Sequence, residues 1–356
     1  MRLSGYPGIR ITGYPERCVN NSLFLQAFKG TNRQVPVWFM RQAGRYLPEY
    51  QALKKKHSLQ KMFDTPELAA QITCLPVDIL GVDAAILFAD ILTLPKLMGF
   101  DIRFDDRQGP VIGGTIATAL HHREDIRDAD DFSGLARTIH LVNEHLASRV
   151  PLIGFAGSPF TVLTYLIEGG STVSFTRTFR FISEHPVHFQ AWMELLTLNT
   201  IRYLNAQKKA GAAAFQLFDS WAGILRPADF ARWVLPFVRQ IFEEVDLPSI
   251  YFVRNCAHLL ALMDQSGADF LSVDHTVVLG HHTIIEKTKK GIQGNLFNGL
   301  LYADDATLVK EVRDVLVGGV KHGRYIFNLS HGVFPDVDPD KLKLIVEQVH
   351  AFDKKI

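Results

Sequence analysis

The sequence predicts an α/β protein: a single (β/α)8 TIM-type barrel with its active site at the C-terminal ends of the strands. Three observations lead there. Short, near-continuous apolar runs recur along the 356 residues, as expected of parallel strands buried on both faces. Amphipathic stretches long enough for helices separate them, and that alternation implies a parallel sheet. A polar or conformationally special residue follows each apolar run, where barrel chemistry is located. The length suits two domains or one barrel. No Gly/Ser linker or composition shift divides the chain, so the expectation is an extension at 1–20 followed by one barrel over 21–356. An open doubly wound sheet is the alternative. It lacks support, because no Gly-x-Gly-x-x-Gly follows the first strand and no Walker lysine loop is present.

In chain order, the strand candidates are 36–40, 84–88, 152–156, 213–218, 249–253, 270–273, 291–295 and 325–329. Thr65 is a candidate N-cap with Pro66 at the first helical position. Phe189, Trp192, Met193, Leu196 and Leu204 mark one face of a later helix. Lys208 and Lys209 fall in its last turn and Gly211 is its C-cap. The stretches 227–245, 258–265 and 304–317 read as helices too. Asp338-Pro339-Asp340 opens a final helix through Val349.

The charge excludes several functions. Lys+Arg total 38 and Asp+Glu 37, a net of +1. A nucleic-acid binder would be more basic, so any anion site must be a local cluster. Three sparse cysteines, Cys18, Cys74 and Cys256, argue against a disulfide framework and fit a reducing cytosol. The segment 1–17 carries Arg2, Arg10 and Arg17 among Gly and Pro but no apolar core, so it is not read as a secretory signal. It has neither the serine richness nor the amphipathic helix of a transit peptide. No run approaches the length of a membrane helix. The expectation is a cytoplasmic protein that binds neither membrane nor nucleic acid.

The most informative stretch is Arg41-Gln42-Ala43-Gly44-Arg45, directly after the first strand candidate. Two planar, permanently charged forks and a glycine at a strand end fit an anion carrying several carboxylates or phosphates; a surface turn with solvated arginines is the bland reading. Asp90 follows the second run, Gly157 and then Tyr165 the third, Asp219-Ser220 the fourth, Arg254 the fifth, Asp274-His275 the sixth, Asn295 the seventh and His331 the eighth. A barrel would gather these at one mouth, although helix capping remains the simple reading of Asp219 and Asp274. Cys256-x-His258 offers two zinc donors without a third. His121-His122 and His281-His282 read as surface residues. Ser158 lies outside a Gly-x-Ser-x-Gly elbow. The segment from Glu168 to Thr172 reads as a flexible loop over the mouth, or as an ordinary turn.

The run from Pro36 to Tyr50, with the Arg41–Arg45 pentapeptide at its centre, resembles the N-terminal signature of the uroporphyrinogen decarboxylases. Further anchors are Asp83 to Leu92, Gly154 to Thr161 with Thr164 to Gly170, Gln216 to Ser220, and Asn328 to Gly332. The likeness extends from about Asn21 to Phe352. It implies one (β/α)8 barrel, a homodimer, and no metal or organic cofactor. The implied reaction removes carbon dioxide from the four acetates of uroporphyrinogen III, giving coproporphyrinogen III in haem and related tetrapyrrole synthesis. It also implies that Arg41, Gln42, Ala43, Gly44 and Arg45 form the substrate-binding segment. Asp90 would bind the pyrrole N–H groups and stabilise the transition state; Tyr165, Ser220 and His331 would supply the remaining contacts. Lys54 stands where the family usually has another arginine and is kept as a binding candidate. His275 replaces a usual tryptophan, Arg254-Asn255-Cys256-Ala257 replaces a lysine- and glycine-rich run, and the segment from Gly294 to Asn298 lacks a usual Asp-Pro.

The chemistry agrees with this set. A pyrrole acetate loses carbon dioxide only if the released electron pair has somewhere to go. Protonating the adjacent ring carbon makes the substrate its own sink, the task a cofactor performs elsewhere. The protein must deliver a proton, for which Arg41, Tyr165 and His331 are candidates, and hold a carboxylate, Asp90, near the cation. Two rivals remain. Cobalamin-linked methyltransferases of the same barrel hold zinc through His-x-Cys and a distant Cys, whereas here the order is reversed and no cysteine follows. A non-catalytic tetrapyrrole carrier is the other.

Overall fold

Apolar runs buried on both faces can satisfy their backbone groups only by pairing side by side, and they do so here. The computed structural model describes residues 22–105, 109–114, 126, 128–280 and 287–353. In it, β1 (Ala85–Ile86), β4 (Leu152–Gly157), β5 (Ala214–Asp219), β6 (Ser249–Val253), β7 (Phe270–Ser272), β8 (Gly291–Gln293) and β9 (Tyr325–Ile326) form one sheet in the order β1-β4-β5-β6-β7-β8-β9. Every pairing in it is parallel. Each strand lies within or one residue beyond a run picked from the sequence.

The first run, 36–40, is not a full strand. It makes a single parallel bridge, Val37 to Phe327, backed by Phe327 N–H donating to the Pro36 carbonyl at 2.9 Å. On its other side Asp83 N–H donates to the Val37 carbonyl at 2.8 Å, and Val37 N–H donates to Asp83 Oδ2 at 2.8 Å. One stave therefore links the two edges of the curled sheet. Arg41 then leaves on a left-handed backbone (φ 60°), which ends the extended run early. His350, on the last helix (Pro339–Ala351), also bonds Asp83 Oδ2 at 2.9 Å. The bond to Asp83 holds the His350 pKa above its ordinary value.

The barrel interior is crossed by a buried polar chain. Trp38 Nε1 donates to Gln293 Oε1, and Gln293 Nε2 donates to Gln216 Oε1 and Ser272 Oγ, all at 2.9 Å. Such a network fixes the mutual rotation of four staves because each buried donor left unpaired would cost about 1–3 kcal/mol.

The helices follow their sequence signals with three differences. The helix Pro66–Leu80 starts at the expected proline, but Thr65 makes no side-chain cap bond. The stretch 227–245 is two helices, Pro227–Trp233 and Leu235–Glu244, broken at Val234 ahead of Pro236; proline supplies no N–H to continue the first. The stretch 258–265 shrinks to a turn and the short helix Leu260–Met263. The long helix Pro186–Ala210 ends at Gly211 with φ 111°, and Asp304 and Asp338 cap the helices after them.

A hairpin of β2 (Asp101–Asp105) and β3 (Gly109–Gly113) has no counterpart in the sequence reading. It alternates Ile102 and Ile112 inward with exposed neighbours, so it lacks a continuous apolar run. The 1–20 extension, Cys18, His121-His122 and His281-His282 lie outside the described residues. No helix among the described residues is long and apolar enough to cross a membrane.

Candidate active site

The carboxyl ends of the staves enclose a cavity of about 550 Å3, within the range of small-molecule sites. Arg41, Ala43, Asp90, Tyr165, Ser220 and His331 all line it. These residues lie on five separate segments of the chain, so the fold alone brings them together.

Arg41 is positioned by its neighbour. Gln42 is fully buried and does not line the cavity. Its Oε1 accepts from Phe39 N–H at 3.0 Å and its Nε2 donates to the Ala84 carbonyl at 3.0 Å. Tyr46 OH donates to the Gln42 carbonyl at 2.6 Å. These bonds hold the turn in which Arg41 takes positive φ, a conformation that costs a non-glycine residue about 1 kcal/mol or more. The Arg41 side chain lies across Gly332. A Cβ there would stand 2.3 Å from Arg41 Cδ, so only glycine leaves the guanidinium its path. Gly44, Arg45 and Lys54 do not line the cavity; Arg45 is exposed on the following turn and Lys54 ends the helix Pro48–Lys54.

Asp90 sits just past β1 in a local turn. Its Oδ1 accepts from Leu92 N–H at 2.9 Å, and its own N–H donates to Thr93 Oγ1 at 3.2 Å. Part of its surface faces the cavity, yet protein surrounds the carboxyl closely. Burial raises its pKa, while the Leu92 N–H and the Arg41 charge act in the opposite direction. Such a group gains from any cation or N–H donor that enters the cavity.

Tyr165 stacks on Trp221, with ring centroids 3.7 Å apart and planes 19° from parallel. Burial and the Asp90 charge raise its pKa. His331 is pushed down to about 3 by burial and by the charges of Arg41 and Arg254. Its imidazole is therefore neutral at ordinary pH, a hydrogen-bonding group and not a ready imidazolium acid. That removes the easiest form of one of the three expected proton donors.

Sequence reasoning left out Trp221, and it put Arg254 and the loop containing Ser171 at the mouth without giving either a contact; all three residues line the cavity. Arg254 had been noted only as a polar strand end and as part of an atypical run. Phe88, Phe155, Phe218 and Phe252 complete an aromatic wall; in sequence they look like ordinary strand core. The loop from Glu168 to Thr172 does reach the mouth through Ser171, but it is anchored. Gly170 bridges Val111 of the hairpin, and Glu168 Oε1 accepts from Thr178 N–H and Oγ1 at 2.8 Å.

Three other predicted groups play structural parts. Asp219 is no helix cap. It is fully buried and accepts from Ser158 Oγ at 2.9 Å, Thr161 Oγ1 at 2.6 Å and Tyr251 OH at 2.8 Å; burial pushes its pKa up to about 6 against those donors. Asp274 is a turn former that accepts from Thr276 N–H at 3.0 Å and from Asn255 N–H. Asn295 donates to the Asp274 and Val277 carbonyls. The proposed zinc donors are otherwise engaged. Burial pushes the Cys256 thiol up to about 12, and His258 Nε2 bonds the Leu225 carbonyl at 2.9 Å. Among the described residues no three His, Cys, Asp or Glu side chains cluster as metal ligands.

Fold and site together define an α/β-barrel protein with a cationic, aromatic-walled cavity at the strand ends. Comparison with known proteins narrows this. The family model described as "Uroporphyrinogen decarboxylase (URO-D)" matches residues 19–352, and the chain belongs to that family. It is 44% identical to a uroporphyrinogen decarboxylase of Thermodesulfovibrio yellowstonii over 92% of this chain and 97% of that protein. A uroporphyrinogen decarboxylase of Desulfotalea psychrophila is 42% identical over 94% of this chain and the full length of that protein. Among solved structures, a methyltransferase from Methanosarcina mazei superposes with a TM-score of 0.75 at 20% identity, covering 92% of this chain and 98% of that one. That likeness, at low identity, concerns the barrel fold alone.

Proposed function

We propose that this chain is a carboxy-lyase, a uroporphyrinogen decarboxylase that removes the four acetate carboxylates of uroporphyrinogen III in steps, giving coproporphyrinogen III and carbon dioxide in porphyrin and haem synthesis. The observation that carries the proposal is one closely surrounded carboxylate, Asp90, that shares a cavity with the Arg41 guanidinium and an aromatic wall.

In each step a proton adds to the pyrrole ring carbon beside the acetate-bearing position, making the ring cationic. The bond from the acetate methylene to its carboxylate breaks, and its electron pair flows into the ring as carbon dioxide leaves. The exocyclic methylene then takes a proton and the ring carbon gives one up. The net change is one proton consumed and one carboxylate lost, with no oxidation. Asp90 accepts the pyrrole N–H groups and offsets the cation at low dielectric, where its charge counts most. Arg41 holds a side-chain carboxylate close to the reacting ring. Tyr165, backed by Trp221, and neutral His331 complete the contacts, with Ser220 beside them. Arg41, Gln42, Ala43, Gly44 and Arg45 act as one binding segment, in which Gln42 sets the turn. The proton comes from Arg41 or Tyr165, through water if need be.

The organisation proposed is an extension at 1–20 ahead of one barrel domain over 21–356, working as a homodimer in the cytoplasm with no added cofactor. The decisive experiment is anaerobic incubation with uroporphyrinogen III, products being resolved by carboxylate number. Stepwise appearance of hepta-, hexa-, penta- and tetracarboxylates is expected; binding without carboxylate loss would reduce the protein to a carrier.

A further inference from the structure

We infer that Arg254 is a second carboxylate anchor for the substrate, holding an acid side chain of the macrocycle on the wall of the barrel across from Arg41. This rests on the reading of the cavity given above.

Four observations support it. Arg254 lines the cavity directly after β6. Counting from the stave at Val37, β6 is the fifth of eight, so Arg41 and Arg254 leave from opposite sides of the ring. Both nevertheless line the same cavity as His331, and the charges of both lower its pKa. Among the described residues neither guanidinium has an ion pair or a side-chain hydrogen bond.

The backbone under Arg254 is held from two sides. Asn255, at φ 57°, donates its N–H to the buried carboxylate of Asp274. Gly223 is seated so closely on the Arg254 carbonyl that a Cβ there would be 1.9 Å from the oxygen. A rigid base carrying an uncompensated planar cation is how a protein prepares for a carboxylate before it arrives. The charge count agrees. Two guanidiniums, Arg41 and Arg254, face the cavity against the one carboxyl of Asp90, which suits a substrate with acids around its whole rim. Lysine at this place would offer a point charge, whereas arginine offers a fork.

The test compares the parent chain, Arg254→Ala and Arg254→Lys under anaerobic conditions, with the octacarboxylate and the pentacarboxylate intermediate as separate substrates. Arg254→Ala should raise KM about 10-fold or more, the usual effect of losing one charge-assisted bond, with a smaller change in kcat. Arg254→Lys should recover part of that loss. A KM effect on both substrates assigns Arg254 to a propionate or to the last acetate, and an effect on the octacarboxylate alone assigns it to one of the acetates lost earlier. An NMR titration should also show the His331 pKa rising in Arg254→Ala. An unchanged KM overturns the assignment. If the parent chain removes no carboxylate at all, the functional reading fails first and takes this inference with it; turnover with an unmoved KM sinks the Arg254 role alone.

Discussion

Replacing Gly332 by alanine puts a methyl group into the path of the Arg41 side chain. The new Cβ would stand 2.3 Å from Cδ, 2.6 Å from Cγ and 3.0 Å from Nε of Arg41. Carbon atoms settle at about 3.5–4.0 Å, so the side chain must retreat by roughly 1.2 Å or more. Gly332 has no left-handed φ, so its backbone accepts alanine. The clashing atoms belong to a flexible chain with no bond to hold it among the described residues, so the side chain moves and the fold survives. A shift of about 1 Å in a group that positions substrate lowers turnover on the order of 10²-fold. Gly332→Ala should therefore cut kcat/KM by about 10²-fold while unfolding stability changes by under about 1 kcal/mol. The assay is anaerobic uroporphyrinogen turnover beside denaturant unfolding, repeated in an Arg41→Ala background. If alanine at 332 costs another factor of about 10² where Arg41 is already gone, the effect does not pass through Arg41 and the reasoning is wrong.

Asp90→Ala should lower kcat by about 10²–10³-fold in a folded protein, the scale of losing a preorganised electrostatic partner; near-normal turnover would refute its role. Thr161→Val removes the hydroxyl that donates to Asp219 at 2.6 Å and accepts the Trp221 N–H at 3.2 Å. It should cost about 1–3 kcal/mol in chemical denaturation and, by loosening Trp221 behind Tyr165, should change KM as well. His350 has a folded-state pKa above its unfolded value because of Asp83. The pair's stabilisation is therefore full below the unfolded pKa of about 6.5 and is lost as pH rises through the folded one. His350→Ala should destabilise by up to about 1 kcal/mol, as for a partly solvated pair. The loss should be greater near pH 5.5 than near pH 9, and unfolding midpoints that differ equally at both would contradict the assignment.

Much of the barrel was legible because its strands are buried on both faces and so appear as unbroken apolar runs. The 36–40 run shows the limit: its composition is that of a strand, but positive φ at Arg41 and the demand for closure reduce it to a bridge at Val37. The β2–β3 hairpin escaped notice because it is partly exposed and alternates. The helix start at Pro66 was visible through its proline, and that at Pro339 through proline and the Asp338 cap. The break at Val234 was marked by Pro236 but was hidden by a continuous amphipathic pattern.

The sequence by itself determined the chemical inventory: permanent cations after the first stave, Asp90 after the second, and hydroxyl, phenol and imidazole groups after later ones. It determined this because strand ends are local events, announced by the neighbouring apolar run. Only the tertiary structure decided which of those groups meet. Gln42 spends its amide on backbone partners, Asp219 disappears among three hydroxyls, and Arg254 and Trp221 come to the cavity wall. Those outcomes depend on the direction of each side chain and on contacts between distant residues, and the curvature of the curled sheet sets both.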